Sequence, residues 1–300
     1  MADKEIRELA HLYVDGAFNR RELVRRARKI AGGVAGVSLA LDAMGVPLRA
    51  QQMCSSDLRI PADAPDLMGE DIEYPGEAGM LKGYLVRPRR TETTPMAAVV
   101  VIHENRGLNE HIRDVTRRVA RAGFVALGVD LLSRQGGSAQ FTEPTQQTQA
   151  YGRTVPAERL ADLKSSVAHL RTLTDVRRNR IGTVGFCAGG ANVWALAASG
   201  EDTTANVVYY GAPPPADQIP NIKGAMLCHY AERDRNLSIN GGPMVASLIQ
   251  NNKTFGFFVW EGVGHAFNND TGAAFDAQTA CEAWAKTIDF FSRHLNREDD

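Results

Sequence analysis

The chain has no uninterrupted apolar run of about 18 residues, so no stable membrane insertion is expected. An excess of one charge sign is missing as well. With 34 Lys and Arg against 35 Asp and Glu, the formal net charge is -1, which implies no nucleic acid or other polyanion partner. Cysteine is scarce: four residues, at 54, 187, 228 and 281, with no CxxC pair. That spacing argues against a metal site and against a disulfide framework. Cys228 and Cys281 lie in apolar segments and read as small buried residues. No internal repeat occurs, and no motif calls for a metal or an organic cofactor. The apolar fraction of 44% is that of an ordinary globular protein with enough material for a sizeable core.

Residues 1–60 differ from the rest. They read as a helical extension, with helices over about 4–13 and 20–43 and then a polar stretch. Within it, Asn19-Arg20-Arg21-Glu22-Leu23-Val24-Arg25 precedes a Gly/Ala-rich segment and resembles a twin-arginine export signal. Asp42 interrupts the apolar stretch, and Leu48-Arg49-Ala50 is a poor cleavage site. The extension is therefore taken as an amphipathic helical segment of a cytoplasmic protein, with periplasmic export as the alternative.

Residues 61–300 alternate between strand and helix patterns. Glu70–Tyr74 and Met80–Val86 read as strands joined at Pro75-Gly76. Ala97–Ile102 is a continuous apolar run ending in four β-branched residues, suited to a parallel strand buried on both faces. Asn109 is a plausible helix N-cap before Ile112, Val115 and Val119, which recur at helical spacing. Phe124–Val129 is a strand, 133–156 a polar excursion, Ala157–Thr174 a helix, and Ile181–Phe186 a strand running into Cys187. Ala191–Ala198 is a short apolar helix. Strands follow at Asn206–Tyr210, Gly224–His229 and Thr254–Trp260, a helix includes Val245–Gln250, and a last one covers about 273–294. Such alternation predicts an α/β, doubly wound, mostly parallel sheet with helices on both faces, and a site at the carboxyl ends of its strands.

The chemistry concentrates in Gly185-Phe186-Cys187-Ala188-Gly189-Gly190, a nucleophile elbow with Cys in place of Ser. The helix N-terminus behind Cys187 favours negative charge, and the Ala188 N–H would face a developing oxyanion. Asp234 and His265 each follow a predicted strand, in the order nucleophile, acid, base. Asp234 would hold the His265 tautomer, and His265 would take the thiol proton and return it to the leaving group. His103-Glu104-Asn105-Arg106-Gly107 follows the first central strand, where the second oxyanion donor arises, here the N–H of Asn105. Glu104 beside a thiol could accept its proton or hold it neutral by repulsion of the thiolate. Arg106, Tyr210, Phe267 and Asn269 are the candidate substrate contacts.

From about 70 to 295 the chain resembles the dienelactone hydrolase (carboxymethylenebutenolidase) family of α/β-hydrolases. The likeness rests on the elbow, the Glu104 segment, Gly128-Val129-Asp130-Leu131-Leu132, Tyr209-Tyr210-Gly211, Asp234 and Gly264-His265-Ala266-Phe267. It implies an α/β-hydrolase fold, a Cys187–His265–Asp234 triad assisted by Glu104, and cleavage of a small ester or lactone through a thioester. Members that cleave dienelactone carry an arginine four residues after the histidine, where this chain has Asn269, and a second in the loop before the long helix, for which Arg153 and Arg159 are the candidates. Two other readings compete. A glutamine-amidotransferase-like enzyme usually has Glu two residues after its histidine, where Phe267 stands here. A non-catalytic or redox-sensing protein of this fold would leave the triad idle. The sequence leaves open whether the protein forms a homo-oligomer.

Overall fold

The computed structural model describes residues 59–91 and 94–296, with the side chains of 235–240 excepted. The expected N-terminal extension, with its paired arginines, lies outside the described residues except for its last two.

Eight strands form one sheet in the order β1-β2-β4-β3-β5-β6-β7-β8. In chain order they are β1 (Leu67–Gly76), β2 (Gly79–Pro88), β3 (Met96–Ile102), β4 (Val125–Asp130), β5 (Val176–Phe186), β6 (Ala205–Tyr209), β7 (Ala225–Ala231) and β8 (Phe255–Trp260). The pairs β1–β2 and β2–β4 are antiparallel, and all the others are parallel. The helices are α1 (Glu110–Arg121), α2 (Pro144–Gly152), α3 (Pro156–Thr172), α4 (Ala188–Ala198), α5 (Arg235–Gln250) and α6 (Ala277–Leu295).

Strand parity decides the layers. Ala98, Val100 and Ile102 of β3 share one core with Leu163 and Val167 of α3, Val193 and Trp194 of α4, and Leu248 of α5. The opposite face carries small residues where helices approach closely. A Cβ at Gly128 would meet Thr116 of α1, and one at Gly182 would meet Leu295 and Phe291 of α6. Val99, Ala126 and Gly182 are in register across β4, β3 and β5, which puts α1 and α6 on the same side of the sheet. The sheet is thus covered on both faces, as the continuous apolar strands require.

The caps and periodicities read from the sequence form as expected in α1, where the Asn109 side chain accepts from the Ile112 N–H at 3.2 Å. Three elements differ. The polar excursion 133–156 contains α2, started by Pro144 and a capping box between Glu143 and Gln146. Strand β5 begins five residues before Ile181, because Met96 pairs with Val176 beyond an irregularity in the ladder. The polar run Arg177-Arg178-Asn179-Arg180 conceals that half of the strand. Cys281 on α6 is disulfide-bonded rather than a simple buried thiol, while Cys187 and Cys228 are free.

One close approach matters for everything at the carboxyl edge. A Cβ on Gly189, in the first turn of α4, would lie 2.3 Å from the Ile102 carbonyl oxygen and 2.5 Å from that of His103. A Cβ on Gly185 would lie 2.2 Å from the Gly189 carbonyl oxygen. Both obstacles are backbone and cannot swing away. Gly189→Ala is therefore expected to lose at least about 2 kcal/mol of stability by overpacking. Gly152→Ala, where the added methyl meets nothing within 4 Å, should be neutral or gain up to about 1 kcal/mol. Urea denaturation of the two variants beside wild type checks the pair; equal stabilities would contradict the packing described.

Candidate active site

Strand β5 delivers Cys187 onto a turn with φ 54°, a left-handed conformation unusual for a residue with a side chain. Two hydrogen bonds hold the turn: the Cys187 N–H donates to the Tyr209 carbonyl at 3.0 Å, and the Ala191 N–H to the Cys187 carbonyl at 3.1 Å. Cys187 is the N-cap of α4, and its side chain is half-buried. The Ala188 N–H is the first of the helix and lacks a partner within it.

Asp234 follows β7 and is buried, and His265 lies beyond β8. Their loops are tied together by the Arg233 N–H donating to the Val263 carbonyl at 3.2 Å. His265 Nδ1 lies 2.6 Å from Asp234 Oδ2. A carboxylate only accepts, so Nδ1 carries the proton and Nε2 is left for another partner. The His265 pKa is raised to about 9. Hydrogen bonding to Cys187 is the largest cause; burial opposes it, and Asp234 adds to the rise. The structure thus brings Cys187, His265 and Asp234 together, although 46 residues lie between Cys187 and Asp234 in the chain.

Glu104 is buried just past β3, and its Oε2 accepts from Asn269 Nδ2 at 2.7 Å. Both ends of the Asn269 amide are hydrogen-bonded. Its Oδ1 accepts from the Thr271 N–H at 3.0 Å and from Thr271 Oγ1 at 2.6 Å. Tyr210 is enclosed, with its ring 4.9 Å from that of His265, and among the described residues its hydroxyl has no partner. Burial pushes that phenol well above its ordinary pKa, and the charges of Glu104, Tyr209 and Cys187 push it further. Phe267 is fully buried against Tyr210, at 5.5 Å, and Tyr209, at 6.2 Å; it supports Tyr210 from behind. Arg106 is exposed, and Asn105 is partly buried beside it.

The sequence pattern did not single out Tyr151 or Asn192. The Tyr151 hydroxyl accepts from Asn192 Nδ2 at 2.9 Å, and the Arg159 guanidinium lies 5.0 Å over the Tyr151 ring. Burial raises the Tyr151 pKa, and its ring meets that of His103 edge-on at 6.0 Å. The available signal was the Glu143–Gln146 capping box, which would have marked a helix inside a stretch that reads as loop. Among the described residues no group of three or more His, Cys, Asp or Glu could hold a metal ion, and no helix is long and apolar enough to cross a membrane.

The Dienelactone hydrolase family model matches residues 81–295. A "Putative carboxymethylenebutenolidase" of Synechocystis sp. is 30% identical over 240 residues, covering 75% of this chain and 96% of its own. A protein of the same name from Methylorubrum extorquens is 29% identical over 257 residues, covering 82% of this chain and 88% of its own. Among solved structures, a "Putative Dienelactone Hydrolase" from Klebsiella pneumoniae superposes with a TM-score of 0.69 at 26% identity, covering 76% of this chain and 99% of that one. The matched region runs from within β2 through the rest of the sheet, with the elbow and the loops of Asp234 and His265, and on that ground the chain belongs to the dienelactone hydrolase family of α/β-hydrolases.

Proposed function

We propose that the protein hydrolyses a small ester or lactone through Cys187, with His265 and Asp234 completing the triad. The observation that carries this reading is the His265–Asp234 contact of 2.6 Å, with Cys187 as the leading cause of the raised His265 pKa. A histidine so placed can take the thiol proton as the sulfur attacks. The Cys187 sulfur attacks the carbonyl carbon, and the oxyanion is held by the N–H groups of Asn105 and Ala188. Collapse of the tetrahedral adduct breaks the C–O bond, and His265 gives its proton to the departing alcohol or enol oxygen. Neutral His265 then takes a proton from water, hydroxide adds to the thioester, and the acid leaves as Cys187 is released. Asp234 keeps the imidazole in one tautomer throughout. Glu104 sets the field around the thiol. A glutamine-amidotransferase-like arrangement is disfavoured because the acid comes from Asp234, while position 267 is a phenylalanine enclosed by aromatic rings.

Position 269 bears on substrate choice. Its amide is spent on Glu104 and Thr271, and it carries no charge with which to grip a substrate carboxylate. Neutral esters and lactones are therefore the favoured class over carboxylate-bearing ones.

Three outcomes are expected. With p-nitrophenyl acetate and a dienelactone as substrates, wild type should turn over at least one, and Cys187→Ala should lose about a thousandfold or more in kcat. No turnover by wild type, or a variant equal to it, would sink the reading. Asn269→Arg should raise kcat/KM for the carboxylate-bearing lactone relative to the neutral ester by about tenfold, the worth of one charge-assisted hydrogen bond; an unchanged ratio would place selectivity elsewhere. The third concerns pH. The folded-state pKa of His265, about 9, lies above its ordinary 6.5. Its stabilising contribution is thus fully present below 6.5 and lost as pH rises through about 9. The difference in Tm between wild type and His265→Gln should shrink across that window, and a constant difference would contradict the pairing.

A further inference from the structure

The proposed reaction needs the N–H of Asn105 to face the substrate carbonyl, yet Asn105 sits on a loop past the end of β3. His103 lies beside it and is fully buried. Its Nε2 accepts from the Leu131 N–H at 3.0 Å. An amide N–H can only donate, so the neutral ring carries its proton on Nδ1. Nδ1 lies 2.5 Å from the Glu104 carbonyl oxygen and donates to it. Burial, as the largest cause, holds the His103 pKa below its ordinary value, although Asp130 and the bond to Glu104 pull the other way. The ring therefore keeps the lone pair that Leu131 needs.

The Glu104 carbonyl and the Asn105 N–H belong to one peptide group. No cis peptide bond occurs among the described residues, and in a trans peptide the C=O and N–H point in opposite directions. Fixing the oxygen on the His103 side fixes the N–H on the other. Among the described residues that N–H has no acceptor, so it is free for one from a ligand. A donor on the carbonyl also polarises the amide and strengthens its N–H as a donor.

The far end of the ring is anchored to a braced loop. Asp130, next to Leu131, accepts from the Leu132 N–H at 3.0 Å, the Ser138 N–H at 2.6 Å and Ser138 Oγ at 2.7 Å. Ser138 Oγ in turn accepts from the Leu108 N–H at 2.8 Å. The segment 103–108 is thus held at two points by the loop after β4.

We propose that His103 is a positioning residue that orients the Glu104–Asn105 peptide, so that the Asn105 N–H binds the oxyanion of the substrate. This rests on the hydrolase reading above, and the two fail differently.

The test uses His103→Leu, His103→Gln and His103→Asn in the full chain, with Tm recorded for each. Asparagine puts its amide N–H near the Nδ1 position, and glutamine reaches the Nε2 position. His103→Leu and His103→Gln should lose about tenfold to a hundredfold in kcat with KM little changed, the order for a weakened oxyanion donor. Affinity for a trifluoromethyl ketone, which forms a tetrahedral adduct, should fall by the same factor. Alkylation of Cys187 by iodoacetamide, which builds no oxyanion, should keep its wild-type rate. His103→Asn should recover most of kcat. An active wild type with an unchanged His103→Leu, or alkylation falling in step with kcat, overturns this inference alone; an inactive wild type removes the hydrolase reading with it. A check that needs no variant is the ring ¹⁵N spectrum of wild type. Protonation of His103 at Nδ1 is expected, and protonation at Nε2 alone overturns the proposal.

Discussion

The carboxyl edge of the sheet depends on one contact between backbones. The first turn of α4 lies so close to the end of β3 that no side chain fits at Gly189, and the same turn leaves no room at Gly185. That approach forces Cys187 into its left-handed conformation, with its sulfur outside the packed core and the helix N-terminus behind it. Strain at such a residue persists only where the surroundings over-determine it. Here the Tyr209 carbonyl and the helix itself do so.

A second constraint acts on the loop after His265. Asp270 accepts from His111 at 3.0 Å and from Arg118 at 2.9 Å, while Arg59 reaches it at 3.0 Å. Arg118 also pairs with Asp114. Burial alone would raise the Asp270 pKa, but its hydrogen bonds to His111 and Arg59 and the charge of Arg118 hold it below the usual carboxylate range. A buried ionic cluster of this kind is weak evidence for net stability, since desolvation opposes the Coulombic gain. Its consequence is geometric. It ties Asp270, and with it the adjacent Asn269 that holds Glu104, to α1 on the sheet's flank. The His265 loop and the Glu104 loop are thereby fixed to one another through side chains rather than through the sheet.

Much of the fold was legible because period and composition agree. The β-branched run at 99–102 suited a doubly buried strand, and Asn109 before Ile112, Val115 and Val119 suited a capped helix. Legibility failed where local signals conflicted with tertiary ones. Arg177–Arg180 form part of β5 because the neighbouring strand supplies the ladder, not because their side chains favour a sheet. Helix α2 was hidden by a polar composition whose helical marks were Pro144 and a capping box. The disulfide at Cys281 had no signal in spacing at all.

The sequence by itself determined the alternation of strands and helices, the elbow, and the order of Cys187, Asp234 and His265, because these follow from residue type at short range. The tertiary structure alone decided that His265 and Asp234 meet at 2.6 Å, and that Asn269 is spent on Glu104. It alone decided, too, that Phe267 backs Tyr210 and that His103 bridges two loops. Those facts depend on distances between segments far apart in the chain, and no local pattern encodes a distance.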